Sequence, residues 1–496
     1  MSTLSELLPA GGGGATVDFV ASGTLPNGKP VVLKADGTVE VVGETAITES
    51  IPEGSAAILQ TGDSRYHSVA FDPNTASKFV VSYRDAGNSG YGTAIVGTVS
   101  GTSISFGSEY VFNSASIYFT SVAFDSNTAS KLVIAYRDGG NANNGTAIVG
   151  TISGTTLSFG TAVVYNTGTS DYPSVSFDPN TAGKFVVAYR DGGNSNSGTA
   201  IVGTVSGTSI SFGTEVVFNS ASTQDGSLSF DPNTAGKFVI AYYDGGSTIG
   251  EAVVGTVSGT TLSFGTAVVF NSGISNKTSA AFDPNTAGKF VVAYQDGGNS
   301  YYGTATVGTV SGTSITFGAE YVYNSANSDY GSLSFDPNSS GKFVVAYLDN
   351  GNSSYGTAIV GTVSGTTISF GSEYVFNAGP TYHISAAFDP NTAGKFVVAY
   401  QADGATIYGK ASLGQMATAT TNLTTSNFVG TSTEAYTNAE TATIAVQGGL
   451  STNQTGLTIG STYYVQPAGT LATTAGSPSV TAGKALSTTT LLLKDL

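Results

Sequence analysis

FDPNTAGKFVVAYRDGGNSNSGTAIVGTVSGTSISFG (Phe177–Gly213) decides how this chain folds, because nearly the same words begin at Phe71, Phe124, Phe230, Phe282, Phe335 and Phe388. The Phe-Asp pairs recur every 53 residues, with one step of 52. A period of that size belongs to solenoids, propellers and arrays. Four strands are expected per repeat; in the first they are SVAFD (68–72), KFVVSYR (78–84), GTAIVGTV (92–99) and SISFGSEYVF (103–112). DPNTASK and SGT provide the Pro and Gly turns between them. KFVVAYR is apolar on both faces, which suits a strand pressed between two layers. Four antiparallel strands per repeat, packed face to face around an axis, describe a β-propeller blade.

A β-solenoid would need shorter coils and capped ends. GSAAILQT (54–61) argues against one: it lies 53 residues before GSEYVFNS (107–114) and so reads as a fourth strand with no blade of its own. The last repeat has SAAFD, KFVVAYQ and ATIYGKASL and then departs from the pattern. The N-terminal strand is therefore expected to complete the last blade, which removes an exposed sheet edge. The flanks contain short alternating strands bounded by Asn-Gly, Asp-Gly and Ala-Gly turns. The expectation is an all-β chain: a seven-bladed β-propeller over 46–414, inserted in a small β-domain formed by 15–45 and 415–496. A docking peptide with a Gly-rich linker precedes it at 1–14.

Charged residues make up only 10% of the chain, and that poverty of Glu, Lys and Arg argues against long helices. A net charge of −16 argues against binding nucleic-acid phosphate, which needs a basic face. There is no cysteine, hence neither a disulfide framework nor a thiolate metal site. No segment approaches the roughly 20 apolar residues of a membrane span, and the N-terminus lacks the cationic start of a signal peptide.

The repeats differ from one another in only two places. The first turn (DPNTAGK) and the third (SGTS or SGTT) are nearly constant. The second turn wanders: DAGNSGYG, DGGNANNG, DGGNSNSG, DGGSTIGE, DGGNSYYG, DNGNSSYG, ADGATIYG. So does the connection between blades: NSASIYFT, NTGTSDYP, NSASTQDG, NSGISNKT, NSANSDYG, NAGPTYHI. In a four-stranded antiparallel blade these two variable segments share one face, and loops on a rigid scaffold are the usual place for recognition. Their Tyr, Ser, Asn and Gly vocabulary is that of paratopes. The binding candidates are Tyr66, His67, Asn88, Tyr91, Tyr118, Tyr172, Tyr301, Tyr302, Tyr330, Tyr355, Tyr382 and His383. Neutral drift of unconstrained loops is the plainer explanation of the same variety.

Catalysis finds little support. His67 and His383 fall in blades that a closed ring makes neighbours, but a third metal ligand is not evident; they read as polar loop residues. Asp85, Asp138, Asp191, Asp244, Asp296 and Asp349 end the second strands before Gly/Asn-rich loops. One carboxylate per loop falls short of a calcium site, and Asp-Gly is ordinary turn chemistry. The first-turn Asp (Asp72, Asp125) is expected to form an Asx-turn or to pair with the Lys that ends the turn, such as Lys78 or Lys184. Arg84, Arg137 and Arg190 give way to Tyr243, Gln295 and Leu348 in later blades, which argues against a ring of anion contacts. No cofactor and no metal are expected. Hydrolysis of a glycoside would need two carboxylates in a central channel.

The opening MSTLSELLPAGGGG…FVASGTLPNGKPVVLKADGTVEVV and the closing GLTIGSTYYVQPAGTLATTAGSPSVTAGKALSTTTLLLK resemble the flanks of tail-fibre and other virion-surface proteins of marine tailed bacteriophages, notably cyanophages. The resemblance covers about a quarter of the chain and rests on phrasing, not on a chemical motif. It implies a virion structural protein, multimeric, whose flanks attach to other virion proteins, with a propeller free to meet a host-surface receptor or glycan. A decoration or cement protein and a polysaccharide-degrading enzyme are the alternatives.

Overall fold

A computed structural model describes residues 15–47, 50, 56–404, 407–476 and 478–493. Among these the chain is all-β, with two single turns of 3-10 helix, Ala86–Asn88 and Asn350–Asn352. It divides into two compact units: Glu49–Met416, and the joined ends Met1–Thr48 and Ala417–Leu496.

In the first repeat Ser64–Phe71, Lys78–Asp85 and Tyr91–Ser100 pair antiparallel in sequence order, and Ser103–Phe124 adds the fourth strand. That last strand runs for 22 residues because its first half completes one sheet and its second half begins the next. The connection expected as a loop is therefore extended chain, and the same unbroken run recurs at Ser314–Phe335 and Thr367–Phe388. An asparagine makes this corner possible. The side-chain carbonyls of Asn113, Asn166, Asn219, Asn271 and Asn324 each accept the N–H two residues on, so the bend is satisfied locally without a loop.

The second strands are buried on both faces: Phe79, Val80, Val81 and Tyr83 have no exposed surface. Each of their phenylalanines lies on the glycine of the third strand. A Cβ on Gly203 would fall on the Phe185 ring, and one on Gly308 on the Phe290 ring. The glycine of IVGTV is thus a seat for an aromatic side chain. Cores are shared between successive repeats: Val133, Ala135 and Val149 pack with Val175, Phe177 and Phe185. One such core joins the first repeat to the last, through Val69, Phe71, Phe79, Val397, Ala399 and Leu413.

Two circuits of hydrogen bonds tie the repeats together. The Oγ atoms of Ser68, Ser121, Ser174, Ser227, Ser279 and Ser332 each accept a backbone N–H from the next repeat, and Ser385 Oγ accepts that of Val69. In the first turn, the asparagine of DPN donates to a backbone carbonyl of the following turn, from Asn127 to Pro179 through to Asn391 and Pro73. The aspartate before it forms the expected Asx-turn, Asp125 Oδ1 accepting Asn127 N–H at 3.0 Å. Its other oxygen accepts Gly183 N–H of the next repeat at 2.9 Å. The constancy of DPNTAGK is therefore the constancy of a clamp.

One expectation is corrected here. The turn lysine does not pair with this aspartate: Lys78, Lys131 and Lys184 donate to Thr98, Thr151 and Thr204. The antiparallel register sets each lysine opposite that threonine. The N-terminal strand, described over Ala57–Gln60, pairs with Tyr408–Gln415 of the last repeat, as its spacing requires.

In the other unit both chain ends enter one five-stranded sheet, in the order Thr16–Val20, Thr441–Ala445, Phe428–Ser432, Pro30–Leu33, Val39–Val41. A second five-stranded sheet comes from the C-terminal segment alone. Val32, Phe428, Val465 and Leu491 share a core between them. The expected docking peptide, 1–14, lies outside the described residues.

Candidate functional site

Every first strand carries the same irregularity near its start. Arg65 stands opposite Arg84 but Ser68 opposite Ser82, so the first strand uses one residue more than its partner. The same shift occurs in the other six repeats. A β-bulge of this kind re-aims a side chain. The residues concerned are Tyr66, Phe119, Tyr172, Asp225, Lys277, Tyr330 and His383, each with φ between 49° and 57°. Glycine adopts this left-handed backbone freely; for other residues it costs of order 1–3 kcal/mol. None of the seven is glycine, in a chain that has 66. Seven side chains are thus kept against the preference of their own backbone.

They converge on one mouth, a cavity of about 520 Å³ lined by all seven. Ring centroids lie 5.3 Å apart for Tyr330 and His383, 4.7 Å for His383 and Tyr66, 4.7 Å for Tyr66 and Phe119, and 4.6 Å for Phe119 and Tyr172. This makes a continuous aromatic arc. The remaining arc is charged: Asp225 accepts the backbone N–H of Lys277 at 2.9 Å, and Lys277 Nζ stands 5.2 Å from the centre of the Tyr330 ring. Burial works against the Lys277 ammonium, but Asp225 and Asp329 outweigh it and hold its pKa above the ordinary lysine value. Burial, helped by Arg65 and Lys277, pushes His383 down to about 4. His67, which also lines the mouth, is pushed down to about 3 by burial and then by His383. Both imidazoles are neutral at pH 7.

The expected binding residues separate into groups. Tyr66, Tyr172, Tyr330 and His383 are members of the ring. Tyr118 and Tyr382 precede ring positions and support them: Tyr118 lies between the Arg84 and Arg137 guanidiniums, 5.3 and 4.8 Å from its ring centre, and Tyr382 meets Tyr330 edge-on at 5.7 Å. Asn88, Tyr91, Tyr301, Tyr302 and Tyr355 belong to the second turns. Of these Asn88 is exposed, Tyr301 is 42% exposed, and the other three are half-buried. His67 is no polar loop residue: it is 6% exposed and its Nε2 lies 3.0 Å from Ser64 Oγ. The register does place the second turns and the ring at one end of the strands, since Asp85 opens the turn opposite Ser64. The first and third turns are at the other end, where Phe71 faces Phe79 and Ser100 faces Ser103.

Phe119, Asp225 and Lys277 are ring residues that selection by residue type misses. Their signal is positional: each is the seventh letter of its connecting segment, in register with Tyr172, Tyr330 and His383.

The aspartates that end the second strands are engaged by their own neighbours. Asp191 Oδ1 accepts Gly193 N–H at 2.9 Å and Asn166 Nδ2 at 3.0 Å, and Asp296 and Asp349 repeat the pattern. This is turn and corner chemistry. Among the described residues no cluster of three His, Cys, Asp or Glu is placed to hold a metal ion. The described lining of the mouth contains one carboxylate, Asp225, whereas glycoside hydrolysis ordinarily uses a pair.

No family model matches the chain, and no curated protein does. Among solved structures it is similar to Sqt1 from Chaetomium thermophilum, at 14% identity over 72% of this chain and 85% of that one, TM-score 0.44. The same protein bound to the N-terminus of ribosomal protein L10 gives 14% identity over 73% and 89%, TM-score 0.45. A protein of unknown function from Dyadobacter fermentans gives 14% identity over 60% and 94%, TM-score 0.41. At these scores the likenesses say nothing about ligand or partner.

Proposed function

We propose that Glu49–Met416 is a seven-bladed β-propeller whose bulge-side rim is a recognition surface. In this reading the chain is a non-enzymatic, multimeric virion-surface protein of a tailed bacteriophage. Its flanks hold it to other virion proteins, and its rim meets a receptor or glycan on the host. The two closed hydrogen-bond circuits support the propeller, and the phrasing of the flanks supports the virion.

The observation that carries the recognition is the ring. Drift explains loops whose backbone is loose, but here the backbone is the same strained bulge in every repeat and only the side chain changes. Selection for stability alone would favour glycine at such positions, because it relieves the strain. Instead they hold Tyr, Phe, Tyr, Asp, Lys, Tyr and His.

The test is binding of the fluorescently labelled full chain to a panel of marine cyanobacterial strains. Saturable binding to at least one strain is expected. Absence of binding to every strain, together with a propeller covered by neighbouring subunits on the particle, would replace recognition by a cementing role.

A further inference from the structure

The mouth is asymmetric in a way that selects a ligand. On one side stand five rings in sequence, Tyr330, His383, Tyr66, Phe119 and Tyr172, with successive centroids 4.6–5.3 Å apart. On the other stand a carboxylate and an ammonium, Asp225 and Lys277, joined through the 2.9 Å bond from the Lys277 N–H. We propose that this mouth holds a neutral sugar residue of a surface polysaccharide, its C–H face against the aromatic arc and its hydroxyls on the Asp225–Lys277 side. The inference rests on the recognition reading above and gives it a site and a ligand class.

Each rival ligand meets an obstacle in the same residues. A polyanion is repelled by a chain of net charge −16, and Lys277 is already held between Asp225 and Asp329. A quaternary cation suits an aromatic cage, but here it would share the mouth with the Lys277 ammonium. A peptide that binds by adding a strand needs unpaired strand N–H groups. Around this channel those of Val69, Val122, Val175 and Leu228 are bound to serine hydroxyls of the preceding repeat. A sugar needs none of these: it offers an apolar face to stack, and hydroxyls that donate to a carboxylate and accept from an ammonium. The cavity, about 520 Å³, lies within the usual ~300–1,000 Å³ of small-ligand sites.

The experiment uses the full chain on intact cells of a strain that binds it. Cells are treated with periodate, which cleaves vicinal diols, or with protease. Tyr66→Ala, Tyr172→Ala and Asp225→Asn are compared with Tyr301→Ala on the outer turn, each first checked for an unchanged thermal midpoint. Periodate is expected to abolish binding and protease to spare it. Each mouth variant is expected to weaken binding about tenfold or more, as loss of a central contact does, and by more than Tyr301→Ala does. Binding that protease destroys and periodate spares overturns the sugar assignment while leaving recognition intact. Binding lost in Tyr301→Ala and kept in the mouth variants moves the site to the outer turns and overturns the placement. Binding to no strain removes the recognition reading and this inference with it.

Discussion

At pH 4 the Glu49–Met416 unit is expected to lose about 3 kcal/mol of its pH 7 stability through His67 alone. The folded chain holds His67 at about 3, below its ordinary 6.5, so the unfolded chain takes up the proton first. A depressed pKa of this kind leaves stability intact above 6.5 and removes it as pH falls from 6.5 towards 3. His383, at about 4, acts in the same direction, though it opens on the mouth and solvent softens its share. Asp85 opposes both, since burial raises its pKa. The comparison that isolates His67 is urea unfolding of the parent and of His67→Phe between pH 7 and pH 4. The variant is expected to lose less stability over that interval by about 3 kcal/mol. Parallel curves would mean that His67 is solvated in a way its 6% exposure denies.

Glycine at the ring positions is expected to cost far less than the size of the deleted side chains suggests. Tyr66→Gly, Phe119→Gly and Tyr172→Gly each remove a half-buried aromatic ring but release a left-handed backbone strain of order 1–3 kcal/mol. The two changes nearly cancel, leaving each variant within about 1 kcal/mol of the parent. Phe185→Ala, at a fully buried site with ordinary backbone, is expected to cost about 3–5 kcal/mol. Denaturant midpoints of the four variants decide. Ring variants as damaging as Phe185→Ala would make these side chains a plug for the channel, and the case for keeping them for a ligand would fail.

Much of the architecture is legible in the sequence because it is written locally and then repeated. The Asx-turn at Asp125 follows from Asp-Ser-Asn, and the pairing of Ala57–Gln60 with the last repeat follows from spacing alone. What is not legible is backbone that carries no compositional mark. A bulge at Tyr66 or Lys277 has neither glycine nor proline to announce it. Selection by residue type therefore brings in Tyr118 and Tyr382 beside the ring and leaves out Phe119, Asp225 and Lys277 within it. The lysine contacts are hidden for a related reason: Lys78 meets Thr98 through strand register, and register is not visible in a single turn. The continuity of Ser103–Phe124 is hidden because Ser, Asn and Ala at its centre resemble a loop, while the Asn113 carbonyl holds the corner extended.

In the proposed propeller, identical bulges aim seven side chains of five kinds into one opening of a closed cycle of sheets. An experimental density map of the full chain, viewed along that axis, tests it most directly. Seven sectors are expected around one channel, with Tyr66, Phe119, Tyr172, Asp225, Lys277, Tyr330 and His383 at the same end, each in left-handed backbone. An open spiral, another number of sectors, or ring side chains divided between the two ends would contradict it.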